Sequence, residues 1–129
     1  MRFRNTAADD GLSQPWFGTV WLNPPFSDKT PWYRRLVGHV EREEVERAAA
    51  LGPVDPSTDW FQEWFATADT ICFLDGRDWF LDHGSSPSFP TMVGVWNPTA
   101  ACVDWLTKVG IVVRPLRDDA QAGLEVFDR

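Results

Sequence analysis

Cysteine is scarce in this chain of 129 residues, with two in all, which excludes a secreted fold stapled by several disulfides. Cys72 and Cys102 stand among apolar neighbours and read as small buried hydrophobes. Long apolar runs are missing too. The longest, such as Thr70-Ile71-Cys72-Phe73-Leu74, fall far short of the ~20 residues of a membrane span. Polar Asn5-Thr6 follow Met1-Arg2-Phe3-Arg4, where a secretory leader needs an apolar stretch. The expectation is a soluble, cytoplasmic protein with no membrane partner. Positive charge is in deficit: 12 Lys+Arg stand against 19 Asp+Glu, a formal net charge of -7, so a broad basic face for gripping phosphates is not expected. Lys29 and Lys108 are the lysines, every other cation is Arg, and Asp outnumbers Glu about two to one. Acidic surfaces of this kind stay hydrated and soluble in strong salt, so the composition points to a halophilic setting.

What is plentiful is aromatic and apolar side chain: eight Trp, nine Phe and 43% hydrophobic residues. A chain of this length buries roughly two-thirds of its unfolded surface and needs no staple. With no internal repeat or low-complexity tract, residues 1–129 read as a single domain with a ragged start and a charged tail at Arg117-Asp118-Asp119. Gly18-Thr19-Val20-Trp21-Leu22, Thr70 to Leu74, Thr91 to Trp96 and Ile111-Val112-Val113 read as strands. Thr30-Pro31 reads as a cap followed by proline at the first helical position, opening a helix with Trp32/Tyr33, Leu36/Val37 and Val40 on one face. For Val45 to Leu51 two readings stand: Ala48-Ala49-Ala50 favours helix, while a parallel architecture wants a strand. Gly52 to Ser57 reads as a turn-rich loop, and Asp59 with Gln62 as a capping box for a short helix through Trp60, Phe61, Trp64 and Phe65. Asp82 to Pro90 reads as an irregular loop. Asn97-Pro98 starts the next helix, with Leu106 and Val109 inward, Lys108 in its last turn and Gly110 past its end. Strands alternating with helices predict an α/β fold on a mostly parallel sheet.

The sharpest local feature is Val20-Trp21-Leu22-Asn23-Pro24-Pro25-Phe26, a hydrophobic strand running into Asn-Pro-Pro-Phe. Each proline drives its predecessor out of the helical region and neither carries an N–H, so the turn is stiff and offers acceptors only. A fixed carboxamide oxygen on Asn23 and a fixed backbone carbonyl beside it then suit an exocyclic amino group. They hold both of its hydrogens, orient the nitrogen lone pair and stabilise the positive charge that builds as that nitrogen attacks an electrophile. Phe26 supplies a face for a planar base.

Other chemistries find less support. His39 lies on or beside the apolar helix face, His83 lies in the Gly/Ser loop, and neither Cys stands at metal-ligand spacing from either, so no metal is expected. Asp75, Asp78 and Asp82 lack the partner signal of a glycosidase and read as solvated. Cys102 and Ser85-Ser86 lack a base and an orienting group for nucleophilic hydrolysis. Trp21, Trp60, Trp64, Trp96 and Trp105 fall at positions that face a core rather than a stacking platform. Lys29 and Arg34/Arg35, just past Phe26, fit either a phosphate backbone or a solvated helix face.

Together these segments resemble the phage-type DNA adenine-N6 methyltransferases (Dam-like). Asp9-Asp10-Gly11-Leu12-Ser13-Gln14-Pro15-Trp16 is similar to the family's acidic-Gly-Leu…Trp segment, and residues 20 to 27 match its central motif. Asp59-Trp60-Phe61 resembles its Asp-Thr-x-Trp-Phe helix start, Phe73-Leu74-Asp75-Gly76-Arg77 its Phe-Leu-x-Gly-Arg turn, and Phe89-Pro90 also fits. The resemblance covers about residues 9–97, leaving 98–129 as a terminal helix, strand and tail. It implies a Rossmann-like S-adenosylmethionine-dependent methyltransferase fold that moves a methyl group to N6 of an adenine flipped from DNA. Asn23, Pro24, Pro25 and Phe26 would then be catalytic, with Lys29, Asp59, Trp60 and Arg77 in supporting substrate contacts. Two departures stand out. The family's Gly-Arg-Leu-Lys-Phe is here Gly76-Arg77-Asp78-Trp79-Phe80, which loses a cation. The family's first strand and acidic cofactor segment would precede Asp9, where eight residues stand, so the chain reads as truncated at its N-terminus and its cofactor-binding residues are unassigned. A misplaced start codon, a non-catalytic remnant, a split enzyme with a partner chain and a minimal variant with a different cradle all fit. A rival chemistry uses the same motif on an RNA base or a protein glutamine amide.

Overall fold

The computed structural model describes residues 2–4, 12, 14–76 and 90–116. In chain order these form β1 (Arg2–Arg4), β2 (Gly18–Asn23), α1 (Thr30–Glu41), β3 (Val45–Pro53), α2 (Asp59–Glu63), a 3-10 turn (Phe65–Thr67), β4 (Thr70–Leu74), β5 (Thr91–Trp96), α3 (Ala100–Val109) and β6 (Gly110–Val113). The segment from Asp9 to Gly11 with Ser13, Arg77, Asp78, Asp82, His83, Ser85-Ser86, Phe89 and the charged tail lie outside the described residues.

Helix α1 buries Trp32, Tyr33, Leu36 and Val37, as the 3.6-residue spacing requires. Its start differs by one residue from expectation. Lys29 occupies the cap without a side-chain cap bond, and Thr30 is already helical. Glu43, with a φ of 60°, turns the chain within three residues into β3. There the strand reading of residues 45–51 prevails over alanine's helix propensity, because β3 is paired along both edges, by β2 and by β5. The strand also takes in Gly52 and Pro53, which the sequence assigned to a loop.

The capping box expected of Asp59 and Gln62 does not form. Thr58 sits at the cap of α2, and Gln62 instead donates to the Pro56 carbonyl at 2.7 Å. Helix α3 begins at Ala100 rather than at Asn97-Pro98, because the Thr99 hydroxyl accepts the Cys102 N–H at 3.1 Å. Asn97 stays outside the helix at a φ of 55°, held by bonds to the Asp69 carboxylate at 2.7 Å and the Glu46 carbonyl at 2.9 Å.

The six strands form one sheet in the order β1-β2-β3-β5-β4-β6. Pairings β1/β2 and β2/β3 are parallel; β3/β5, β4/β5 and β4/β6 are antiparallel. The architecture is thus mixed α/β, which corrects the expectation of a mostly parallel, Rossmann-like sheet. Strands joined through helices do point the same way, as that reasoning supposed: β2 with β3, β3 with β4, β5 with β6. Yet β5 lies between β3 and β4, and β4 between β5 and β6. A helix crossover fixes direction but not adjacency.

Helices cover both faces. On one, α1, α2 and the 3-10 turn pack over Val20, Leu22, Ala48, Ala50, Ile71, Met92 and Trp96. On the other, Leu106 and Val109 of α3 pack over Leu51, Cys72, Leu74, Val93 and Val95. Central β5 is therefore buried at every residue. Trp60 and Trp96 are core residues and Trp21 and Trp64 half-buried, but Trp105 is 47% exposed, which corrects its core assignment: the inward stripe of α3 runs along Leu106 and Val109. Cys72 and Cys102 are free thiols, the first buried and the second half-buried. Among the described residues, no helix is long and apolar enough to cross a membrane, and no cluster of three or more His, Cys, Asp or Glu is placed to hold a metal ion.

Candidate functional site

Strand β2 delivers Asn23 as its last residue, in register with Arg4 of β1. The same sheet edge carries the carboxyl ends of β3 and β4, because all three strands run in one direction. Crevices beyond strand carboxyl ends are the usual ligand positions of α/β sheets. Beyond Asn23 the chain turns through buried Pro24 and half-buried Pro25 and Phe26. The Pro25 carbonyl accepts the Asp28 N–H at 3.2 Å, and the Phe26 carbonyl accepts Lys29 Nζ at 3.0 Å. Phe26, half-buried, packs at the margin of the Leu51, Val93 and Val95 cluster. Among the described residues nothing donates to the Pro24 carbonyl or bonds the Asn23 carboxamide.

Lys29 joins this turn to the neighbouring helix. Its ammonium lies 5.1 Å from the centre of the Trp60 ring while bonding Phe26, and its own carbonyl accepts Trp32 N–H at 3.1 Å and Tyr33 N–H at 3.2 Å. Trp60 is 7% exposed, stacked on Tyr33 at 5.3 Å and set edge-on to Phe65 at 5.9 Å. The structure therefore brings residues 23–26, Lys29 and Trp60 into one connected group, with Trp60 as its buried floor. Asp59 is exposed at the first turn of α2, and Asp75 is exposed just past β4. Arg77 lies outside the described residues, so its place is not assigned.

Tyr33 locks the scaffold beneath. Its hydroxyl, fully buried, donates to the Leu51 carbonyl at 2.7 Å. Burial pushes the phenol well above its ordinary range, so it stays protonated and keeps donating. The close approach explains Gly52 next door, where a Cβ would stand 2.8 Å from the Tyr33 oxygen.

Arg35 and His39 belong to a second cluster farther along α1. The Arg35 guanidinium lies 4.5 Å from the Trp16 ring centre, donates to the Leu12 and Gln14 carbonyls, and through Nε donates to His39 Nε2 at 3.1 Å. Arg35 thus ties the segment leading into β2 onto α1, whereas Arg34 is exposed. His39 is held below the ordinary histidine range, first by burial and then by the Arg35 charge. Ten helical positions, about 15 Å, separate it from Lys29, so it takes no part in the motif. A cleft of about 620 Å³ beside Asp69, Thr70 and Arg114 opens at the opposite sheet edge, where β4 begins.

Two features of the site escape sequence reasoning. Lys29 and Trp60 are each conspicuous, but their pairing spans 31 positions and follows from how α2 packs on α1. The hydroxyl bond of Tyr33 had one signal, that it is the chain's single tyrosine.

Comparison with known families gives a match to DNA N-6-adenine-methyltransferase (Dam) over residues 2–94. No curated protein and no solved structure matches the chain. The matched span contains β1 through most of β5, and with them the whole strand edge that carries residues 23–26.

Proposed function

The chain belongs to the DNA N-6-adenine-methyltransferase (Dam) family, and from that premise we propose that it methylates N6 of an adenine flipped out of DNA. The mixed α/β sheet is compatible with a methyltransferase-like domain. The observation that carries the reading is Asn23 at the carboxyl end of β2, followed by two prolines that leave carbonyl acceptors and no N–H.

Asn23 Oδ1 and the Pro24 carbonyl accept the two hydrogens of the adenine amino group. Drawing them out of the ring plane localises the nitrogen lone pair, and the same oxygens stabilise the positive charge that grows on nitrogen. The Asn23 carboxamide needs no proton-abstracting role, since N6 sheds its extra proton once methylated. Half-buried Phe26 supplies the ring on which the flipped base stacks. In this family's reaction S-adenosylmethionine supplies the methyl group. The described residues at this edge include the acceptors of residues 23–25, Lys29 and the exposed carboxylates Asp55, Asp59 and Asp75, and no cofactor contact is assigned to them. With a net charge of -7, DNA affinity rests on stacking and local contacts more than on bulk attraction, giving a shallow salt dependence.

The test is transfer of tritiated methyl from S-adenosylmethionine to DNA in high KCl, beside the Asn23→Ala variant. Label recovered as N6-methyladenine, reduced roughly 100- to 1000-fold in the variant, supports the reading. Label in RNA or protein instead, or none from demonstrably folded chain, overturns autonomous DNA methylation and favours a different acceptor or a partner-dependent form.

A further inference from the structure

We propose that Lys29 is the positioning residue of the 23–26 turn, clamping it to the Trp60 floor, rather than a contact to the DNA backbone. The proposal rests on the reading of residues 23–26 as the base-binding motif. Residues 24 and 25 have no N–H, so their backbone can be fastened only through carbonyls. Two carbonyls of the turn are used. That of Pro25 takes the Asp28 N–H at 3.2 Å and that of Phe26 takes Lys29 Nζ at 3.0 Å. Neither tie uses the Pro24 carbonyl. The Lys29 bond fixes the residue that bears the stacking ring.

The choice of lysine supports the same role. Lysine fills two of the 12 Lys+Arg positions in this chain, so arginine is the default cation. At 29 the cation reaches one carbonyl while lying 5.1 Å from the Trp60 ring centre, which the compact ammonium of lysine does from a flexible stem. Because the Lys29 carbonyl also accepts Trp32 and Tyr33 N–H groups, one residue links the turn, the start of α1 and the floor of the site. A displacement of about 1 Å in such a constellation costs on the order of 100-fold in rate.

Two measurements decide the matter. In the free protein with carbon-13-labelled lysine, two lysines give two sets of side-chain signals, assigned with Lys108→Arg. The Lys29 Hε signals should be shifted upfield by the Trp60 ring, and Lys29→Met should move the Phe26 and Asp28 amide resonances. Coincident, unshifted lysine signals overturn the clamp. In the methyl-transfer assay, Lys29→Met should lower kcat roughly tenfold or more while leaving the salt slope of DNA binding unchanged, and Lys29→Arg should recover part of the loss. A salt slope reduced by about one with kcat intact identifies a phosphate contact and overturns the proposal. A ring-shifted Lys29 in a chain that transfers no methyl supports the clamp and overturns the functional reading instead.

Discussion

Replacing Gly110 by Ala should be among the most damaging single-methyl additions in the molecule. The residue joins α3 directly to β6, and its φ of 179° is ordinary extended backbone that any residue adopts. Conformational freedom is therefore not what requires glycine. A Cβ would stand 2.1 Å from the Phe73 carbonyl oxygen, 2.8 Å from its carbon and 2.9 Å from Cys72 Sγ. Ordinary carbon–oxygen contact needs about 1 Å more, and the obstructing atoms are backbone of the paired strand β4, which cannot rotate away. The cost belongs at the upper end of overpacking, about 3 kcal/mol, which for a chain of this size lowers Tm by roughly 10 °C. Gly18 is the matched control. Its φ of +66° is left-handed, but nothing lies within 4 Å of the added methyl, so Gly18→Ala should cost about 1 kcal/mol, from backbone strain alone. Urea unfolding of both variants measures the difference. A Gly110→Ala variant within ~0.5 kcal/mol of the parent, or less perturbed than Gly18→Ala, would refute the steric account.

Two further outcomes follow from the site's supports. Tyr33→Phe keeps the ring stacked on Trp60 but removes the 2.7 Å bond to the Leu51 carbonyl, and should cost about 1–2 kcal/mol in urea unfolding; an unchanged midpoint contradicts the assigned bond. His39, depressed by burial and by Arg35, binds its proton more readily in the unfolded chain than in the fold. Its contribution is thus complete above the ordinary histidine pKa of about 6.5 and is lost as pH falls through the lowered folded value. Tm measured from pH 7.5 downward should decline in this window, and His39→Gln should flatten the decline; equal slopes in both proteins would exclude His39 as its source.

The parts of the fold legible in the sequence are those that local chemistry dictates. Periodicity places α1 and its buried face, and β-branched runs bounded by turn residues place β2, β4 and β5. Residues 45–51 were undecidable because three alanines specify nothing without the two strands that flank them. Sheet order was illegible for a related reason. Each helix crossover sets the direction of the next strand, but the slot that strand occupies depends on contacts distant in sequence, as where Ala50 meets Gly94. The site divides in the same way. The acceptor character of residues 23–26 is written in four consecutive residues, whereas Lys29 reads as a loose cation until packing sets Trp60 beneath it. Trp105 was misjudged because α3 meets the sheet along a narrow stripe.

The insertion of β5 between two strands made before it has a kinetic consequence. During synthesis β2, α1, β3 and β4 all emerge before β5, but β3 and β4 cannot become neighbours, since their shared slot belongs to residues 91–96. Until that segment arrives, β3 has one edge unpaired and β4, flanked by β5 and the still later β6, has both, the surface on which other chains aggregate. The strand that fills the gap is buried at every position, so its arrival closes the facing edges of β3 and β4 in one step, and β6 covers the other edge of β4 afterwards.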